Sequence, residues 1–427
     1  MKTEGLIAKS VRVTKYSFLR EGVDLQFALL LNSKGTHDQK NTLEDPMKNS
    51  GRGLQVSLLP LTFALMSTLL LLSADSVAQS ITNPRMRGMS SMQDHHSHPQ
   101  SRQISTRPAM DELSPPTFKF VSVDVPGAAA TLATGINAHR AIVGIYYDTA
   151  GNEHGFLLKD GNFLTVDVPG SLVGVSGMLQ TEANGINAAG DIVGDYFAPP
   201  GAPGAPACTA DSAPISPQCR RGFLYRKGEF SDVLVPGKKG SIPNAITPDG
   251  TIFGCDHDDD YFTSMVGFAR SRFDTYITLD AGGGELSDPT ESVLGSMNNG
   301  ATPDGSIIVG LYVDPPDPSG QYHGYIVHDG TFQPYDVPGS VATQIWGINP
   351  AADFVGLYDD TNGNEHGFVQ RWDAATSTPI DVPSGPPFNA TLTDAFAINP
   401  AGAIVGLYID TAGNLHGYLA VPKKHDE

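Results

Sequence analysis

A phrase of about fifty residues recurs six times along this chain, and it constrains the fold more than any other feature. Each copy carries a glycine after two apolar residues, as in AIVGIYYD, DIVGDYF, TIFGCD, SIIVGLYVD, DFVGLYDD and AIVGLYID. The intervals between these glycines are 50, 60, 56, 46 and 50 residues, for Gly144, Gly194, Gly254, Gly310, Gly356 and Gly406. Self-similarity at this period is typical of repeat proteins in which each copy forms one structural unit.

Each copy divides into four strand-like pieces, which in the first copy are ATGINA, AIVGIYYD, EHGFLLKD and NFLTVDV. The last two pieces read as a hairpin, because the Lys-Asp-Gly-Asn between them supplies the positive φ angles of a tight turn. Six copies of four strands predict an all-β fold, a six-bladed β-propeller of four-stranded blades. The alternative is an open β-solenoid, which requires terminal caps that the sequence does not display.

The phase of the repeat predicts how the ring closes. The last copy ends at HGYLAVP without a fourth strand, whereas FKFVSVDVP precedes the first copy as a spare strand. We expect this N-terminal strand to pair with His416 to Val421, because full closure removes the exposed edges that invite aggregation.

The segment upstream of the repeats has three predicted parts. Residues 1–46 are predicted to be an upstream extension without periodicity, and Met47 is the alternative start. Residues 47–78 combine a basic segment, an apolar run and small residues before a cut after Ala78, the three parts of a signal peptide. A transmembrane anchor is the competing interpretation of the same run. Residues 79–117 read as a disordered linker, and 118–427 as the propeller domain.

The linker contains Asp94-His95-His96-Ser97-His98, a set of residue types that bind divalent metals. In a flexible tail we interpret it as a transient solvated cluster.

The charge of the chain bears on its partners. With 46 acidic and 27 basic residues the formal net charge is −19, which disfavours a surface that neutralises phosphates. We therefore expect no nucleic-acid partner. We also expect an extracellular or periplasmic monomer without stable membrane insertion once the signal peptide is removed.

The three cysteines are too few for a disulfide scaffold. Cys208 and Cys219 lie in one Pro/Ala-rich insertion and are candidates for a disulfide if the compartment is oxidising. Cys255 follows an apolar strand, and we expect it to be a small core residue.

Four histidines precede Gly-Phe or Gly-Tyr at equivalent places in their copies: His154, His323, His366 and His416. Equivalent positions in different blades are spread around a ring, so these imidazoles do not converge on one metal ion unless they line its axis. We expect each histidine to be buried and to bond within its own blade, to the Asp of DVP or to the Asp after the second strand.

The ordered set DVPG, GIN, IVG-x-Y and Asp-x-x-Gly-Asn-x-His-Gly-Phe resembles the extracellular HAF repeat family of bacterial proteins. The resemblance covers about Phe118 to Val421 and is clearest from Asp124 to Phe156 and from Asp381 to Tyr418. The second and third copies depart from it, with Arg221 and Val266 in place of the histidine. The resemblance implies secretion and a repeat fold, and it implies no reaction or catalytic residue.

Because recurring residues report the scaffold, we expect function in the departures from the repeat. These are the segments 198–220, 256–260, 281–294 and 314–321, all of which fall on links that emerge on one face of a propeller. The predicted ligand-binding residues on this face, over blades two to four, are Asp256, Asp258, Asp259, Asp260, Tyr261, Phe262, Asp314 and Tyr322.

The acidic run suggests one possible ion. Asp256, Asp258 and Asp260 are the candidate ligands of a Ca²⁺, although their spacing is not that of an EF-hand and a solvated acidic turn is the competing interpretation. No other cofactor is expected.

We therefore predict an exported, non-catalytic binding or scaffold repeat protein whose ligand is a protein or a polysaccharide. No nucleophile elbow, zinc-binding helix motif or phosphate loop is present in the sequence. Two alternatives stay open: an extracytoplasmic carbohydrate-active hydrolase or lyase that uses carboxylates on the same face, and a structural surface protein.

Overall fold

The computed structural model describes residues 116–209, 219–257, 265–279, 295–313, 322–328 and 330–423. The predicted upstream extension, the signal peptide and residues 79–115 of the linker lie outside these ranges. Among the described residues, no helix has the length and apolar character needed to cross a membrane.

Within these ranges the regular structure consists of twenty-four strands and one 3₁₀ helix, η1 (Gly170–Val173). The strands in chain order are β1 (Phe118–Val123), β2 (Ala130–Ile136), β3 (Ile142–Tyr147), β4 (Glu153–Lys159), β5 (Asn162–Thr165), β6 (Thr181–Ile186), β7 (Ile192–Phe197), β8 (Arg220–Arg226), β9 (Glu229–Val233), β10 (Gly240–Ile246), β11 (Ile252–His257), β12 (Val266–Arg270), β13 (Tyr276–Thr278), β14 (Gly295–Ala301), β15 (Ile307–Val313), β16 (Tyr322–His328), β17 (Thr331–Tyr335), β18 (Ala342–Ile348), β19 (Phe354–Asp359), β20 (Glu365–Gln370), β21 (Thr378–Ile380), β22 (Ala390–Ile398), β23 (Ile404–Asp410) and β24 (Leu415–Pro422).

These strands form six four-stranded antiparallel sheets, five of which are built from four consecutive strands. Blade one is β2-β3-β4-β5, and blades two to five follow in the same order along the chain. Blade six contains β22, β23 and β24 and takes β1 as its fourth strand. The predicted six-bladed propeller and its closure by the N-terminal strand are both confirmed.

The glycine that defines the repeat sits in the second strand of every blade, opposite a β-bulge in the first strand. In blade one the bulge lies between Ala133 and Gly135, beside the pair formed by Ala133 and Gly144. A Cβ on Gly144 would lie 1.9 Å from the Leu132 carbonyl oxygen, which no side chain can do. The other five glycines meet the equivalent carbonyl at 1.8 to 2.1 Å. Glycine inside a strand is typical of a bulge or of a close backbone approach, and the structure has both here.

In blades one, four, five and six this glycine also makes room for an aromatic ring. Gly144 is paired across the sheet with Phe156, and the ring of Phe156 lies 2.7 Å from where a Cβ on Gly144 would be. The aromatic residues at this position are buried to 1% exposure or less in all six blades: Phe156, Phe223, Phe268, Tyr325, Phe368 and Tyr418. Together with the Val and Ile residues of the second strands, they form the apolar packing between neighbouring blades.

A second set of contacts links the blades around the ring. The side-chain amide of Asn137 donates to the carbonyl of Asn187 in the next blade at 3.0 Å, and that of Asn187 donates to the carbonyl of Thr247 at 3.3 Å. Asn399 of the last blade donates to the carbonyl of Asn137 in the first at 3.1 Å. The Asn of the GIN motif is therefore a hydrogen-bonding link between blades.

Strand β1 closes the ring through a complete antiparallel pairing with β24, from Phe118 opposite Pro422 to Val123 opposite Gly417. Alternate residues of β1 face the core. Phe120 is half-buried and packs against Tyr418 and Phe388, with ring centroids 5.8 and 6.5 Å apart, whereas Val121 is 46% exposed.

We predict that Phe120→Ala lowers the free energy of unfolding by about 2 kcal/mol, because it removes half-buried aromatic packing at the closing strand. The matched control is Val121→Ala, the neighbouring residue whose side chain points to solvent, for which we expect a change within about 0.5 kcal/mol. Urea denaturation followed by circular dichroism measures both. Equal losses in the two variants would show that β1 does not pack as described.

Candidate functional site

The links between strands make the two faces of the propeller unequal. One face carries the links from second to third strand and from fourth strand to the next blade, and the longest of these are 166–180, 198–219 and 279–294. The opposite face carries the remaining turns, of which the longest is 371–377. We call the first of these the elaborated face. The departures predicted from the sequence fall between the strands that these links join, except that Arg220 lies in β8 and Asp256 and His257 lie in β11.

Two of the long links pack together into a platform, defined here as residues 166–180 and 198–209. The Gly204 amide donates to the Val173 carbonyl at 2.9 Å, and a Cβ on Gly204 would lie 2.6 Å from Val173 Cα. Ala202 and Ala205 are buried in the same apolar cluster as Val173. The platform is therefore tightly packed onto blades one and two. Its first half was not predicted, because 166–180 does not interrupt the order of the motifs.

A disulfide joins Cys208 to Cys219, as the sequence suggested. It connects the end of the platform to the start of β8 and closes the insertion at its base. Cys255 is free and buried, which confirms its assignment to the core.

Of the predicted ligand-binding residues, the structure describes Asp256 and Tyr322. Asp256 is 1% exposed, and one of its carboxylate oxygens lies 3.1 Å from the Lys238 ammonium group. Tyr322 is 8% exposed, and burial raises the pKa of its hydroxyl. Both side chains are therefore buried in strands, Asp256 in β11 and Tyr322 in β16. The other predicted residues lie outside the described ranges: Asp258, Asp259, Asp260, Tyr261, Phe262 and Asp314.

The repeated histidines bond within their blades, as predicted. Nδ1 of His154 lies 2.7 Å from a carboxylate oxygen of Asp167, the Asp of its DVP motif, and Nε2 lies 3.7 Å from Asp148. Its ring stacks on Tyr146 at a centroid distance of 4.9 Å. The same arrangement recurs in blades four, five and six, as Tyr312-His323-Asp336, Tyr358-His366-Asp381 and Tyr408-His416-Asp124.

These histidine side chains are 22 to 29% exposed, so the prediction that they are buried is wrong. Each one instead joins the start of the third strand to the link after the fourth strand at the surface of its blade. In blade six the aspartate is Asp124, in the link after β1. The contact with His416 therefore also holds the closing strand in place.

Blades two and three modify this arrangement. In blade two Arg221 replaces the histidine and pairs with Asp232, which also accepts a hydrogen bond from Tyr196 at 2.9 Å. In blade three Asp256 occupies the position of the tyrosine, opposite Val266. Next to it, His257 is fully buried, and burial lowers its pKa to about 3, so its imidazole is neutral.

A buried ionic cluster fills the seam between blades one and two. Arg220 pairs with both Glu182 and Asp195, and all three side chains are at most 6% exposed. Glu153 of blade one is also buried and accepts a hydrogen bond from Tyr147 at 3.2 Å. Three carboxylates thus share one guanidinium. Burial raises the pKa of each of them, and the Arg220 charge opposes that rise.

Among the described residues, no group of three or more His, Cys, Asp or Glu side chains has the arrangement of a metal site. The possible Ca²⁺ ligands Asp258 and Asp260 are not among them.

One groove, of about 580 Å³, lies between the link after β1 and the outer strand of blade one. Val125 and Pro126 form one side, and Tyr146, Phe163 and Leu164 the other. Leu164 is 55% exposed. The groove also has a polar lining, which includes Asp148, Asn162 and Thr165, and it is a second candidate contact region that the sequence did not reveal.

No protein-family model matches this chain, and no curated protein matches it in sequence. Solved structures match at low identity. TolB from Acinetobacter baumannii is 12% identical, with 69% of this chain and 64% of that chain covered and a TM-score of 0.37. The fucose-specific lectin from Aleuria aurantia is 14% identical, with 60% and 78% covered and a TM-score of 0.34. The sialidase of Trypanosoma rangeli, solved with sialic acid, is 10% identical, with 71% and 57% covered and a TM-score of 0.39. This chain thus spans less than two thirds of the TolB and sialidase chains, and the likeness concerns the fold alone.

We predict that Arg220→Met lowers the free energy of unfolding by about 3–5 kcal/mol at pH 7, because it leaves Glu182 and Asp195 buried without a cation. Part of this loss should return at pH 5, where those carboxylates take up protons more readily. Urea denaturation at the two pH values measures both effects.

The matched control is Arg226→Met, which breaks the pair of Arg226 with Asp191 on a side chain that is 39% exposed. We expect a loss of at most about 1 kcal/mol there. A loss as large as that of Arg220→Met would mean that burial does not set the strength of these pairs.

Proposed function

We propose that this protein is an exported, non-catalytic binding module whose ligand, a polysaccharide or a protein, is contacted by the elaborated face over blades two to four. The observation that carries this proposal is that the links on one face of the propeller are much longer than those on the other. A closed ring needs only short turns to join its strands, and the opposite face is built that way. Long links on a single face are therefore not required by the fold, and links held on a rigid scaffold are where binding residues concentrate.

The platform supports this assignment because it is preorganised. Its two halves are joined by the Gly204 to Val173 hydrogen bond, and its insertion is closed by a disulfide. A surface ordered before the ligand arrives loses less conformational entropy on binding. Met178, which is 60% exposed, offers apolar contact at the edge of the platform.

The recurring histidines are unsuitable as the binding residues. Each imidazole has one nitrogen engaged by an aspartate and one ring face stacked on a tyrosine in blades one, four, five and six. A ligand would have to displace contacts that hold the blade together. The departures from the repeat are the better place for recognition.

The hydrolase or lyase alternative is not favoured by the carboxylates of the buried ionic cluster, because they are not accessible to a substrate. Glu182 and Asp195 are 4% and 0% exposed, and both are engaged by Arg220. Catalytic carboxylates of glycosidases must instead flank an accessible glycosidic bond.

Export and membership of the HAF repeat family are parts of the same proposal. The disulfide supports export, because such bonds persist mainly in oxidising compartments. The repeat order DVPG, GIN, IVG-x-Y and HGF supports the family assignment, since each motif has a structural role in the blades.

The ligand is sought by incubating the full exported chain with an array of polysaccharides and scoring retained binding and released products together. We expect retention without product release. Released products would favour the enzyme alternative. If no glycan is retained or cleaved, the ligand is sought among proteins by cross-linking.

Two variants locate the contact. Met178→Asp places a charge on the platform, and we expect it to weaken retention at least tenfold. Leu164→Asp makes the same kind of change at a similarly exposed residue of the groove beside β5, and we expect it to leave retention unchanged. If Leu164→Asp weakens retention and Met178→Asp does not, the ligand binds in the groove and not on the elaborated face.

Export is tested separately by mass spectrometry of the protein recovered from outside the cytoplasm. We expect an N-terminus near Gln79, because cleavage after Ala78 follows the small residues of the predicted signal peptide. Retention of residues 1–72 in the recovered protein would contradict the signal-peptide assignment.

A further inference from the structure

Two of the seams between blades contain buried carboxylates at the same positions. In the seam between blades one and two, these are Glu153 at the start of β4 and Glu182 in β6. In the seam between blades five and six, the equivalent residues are Glu365 at the start of β20 and Asp394 in β22. The seam between blades six and one has leucines at these positions, Leu415 and Leu132.

The seam between blades five and six differs in having no cation. The position of Arg220 is taken by Leu415 in blade six, and the position of Asp195 is taken by Leu407. Within the described part of the chain, no Lys, Arg or His side chain forms an ion pair with Glu365 or Asp394.

The two side chains are nevertheless buried on adjoining strands, β20 and β22. Glu365 is 7% exposed and Asp394 is 3% exposed. Oε1 of Glu365 and Oδ1 of Asp394 are both buried and have no hydrogen-bond partner in the structure. Each carboxyl group affects the protonation of the other. Two buried negative carboxylates side by side would repel and would both lack solvation, which favours a state in which one of them carries a proton.

The surroundings reinforce this conclusion. Asp359 at the end of β19 adds a third carboxyl group, and the buried hydroxyl of Tyr418 on β24 lies nearby without a partner. His366 on β20 is held by Asp381 and Asp360, while Tyr408 and Asp410 on β23 bond to Ser122 and Asn414. Strands β18 and β2, which also pack against β22, contain no titratable side chain.

We propose that Glu365 and Asp394 share a single proton in the folded protein, and that this proton makes the seam between blades five and six a pH-sensitive joint. Below neutral pH the shared proton supplies a strong hydrogen bond between β20 and β22. Above neutral pH its loss leaves two buried negative charges in contact, and the seam loosens.

The direction of the pH effect follows from linkage. Burial raises the pKa of Asp394 to about 7, and burial together with the Asp394 charge holds the pKa of Glu365 well above its usual value. Since the unfolded chain releases these protons near pH 4, their stabilising effect is complete below about pH 4 and is lost as pH rises through about 7. Asp148 and Asp304 act in the opposite sense, because hydrogen bonds lower the pKa of each to about 2. Their effect is confined to pH values below about 4.

The test compares thermal unfolding of the full chain between pH 5 and pH 8. We expect the wild-type Tm to fall by roughly 4 °C or more across this range. The double variant Glu365→Gln/Asp394→Asn keeps the shape of the pair and one hydrogen bond but cannot titrate, so its Tm should fall much less. The matched control Glu229→Gln removes an exposed carboxylate of blade two and should keep the wild-type pH dependence. The proposal would be overturned if the double variant showed the same fall as the wild type.

Infrared spectroscopy of the wild-type protein gives a measurement that does not depend on the variants folding. The carbonyl band of a buried, protonated carboxylic acid should be present at pH 6 and absent at pH 9. A spectrum without that band at pH 6 would show that the pair holds no proton and would refute the proposal.

Discussion

The contact on which the rest of this structure depends is that between a glycine and a bulged backbone. In every blade the second-strand glycine lies directly under a carbonyl of the first strand, at a distance that excludes any Cβ. In four of the six blades the space left by the absent side chain is occupied by the aromatic residue of the third strand, and that residue is buried in all six. One small residue thus determines the curvature of the inner strand and the packing of the seam together, because a bulge bends and twists the strand that contains it. This explains why the glycine recurs in all six copies although the neighbouring loops vary.

Much of this fold could be predicted from the sequence because its determinants are local and repeated. The period of the glycines predicted the number of blades, and the phase of the first and last copies predicted the closing strand. The candidate site was less accessible to such reasoning. Asp256 looked like part of an exposed acidic run, but it ends a strand and is neutralised by Lys238, a partner that only the fold brings close. The pairing of Arg220 with Glu182 joins residues far apart in sequence, and no local pattern reports it.

The seams show how equivalent positions acquire different chemistry within one scaffold. Where leucines meet, a seam is held by apolar packing and is indifferent to pH. Where Arg220 meets carboxylates, the seam depends on a charge balance that tolerates no loss of the cation. Where Glu365 meets Asp394, the seam depends on a proton. Because the strands are arranged in the same way in all three cases, these differences arise from side chains alone. The blades share one backbone arrangement, but the interactions between them differ from seam to seam.

The pairing of β1 with β24 has a consequence for how the protein is made. These two strands lie at opposite ends of the folded domain, so the ring cannot be completed until the last strand has emerged from the ribosome. Until then β1 has no partner strand, and blade six is incomplete. Contacts of such long sequence separation form late and slowly. Under the export proposed above, this delay is an advantage, because a domain that is not yet closed can still cross a membrane in an extended state.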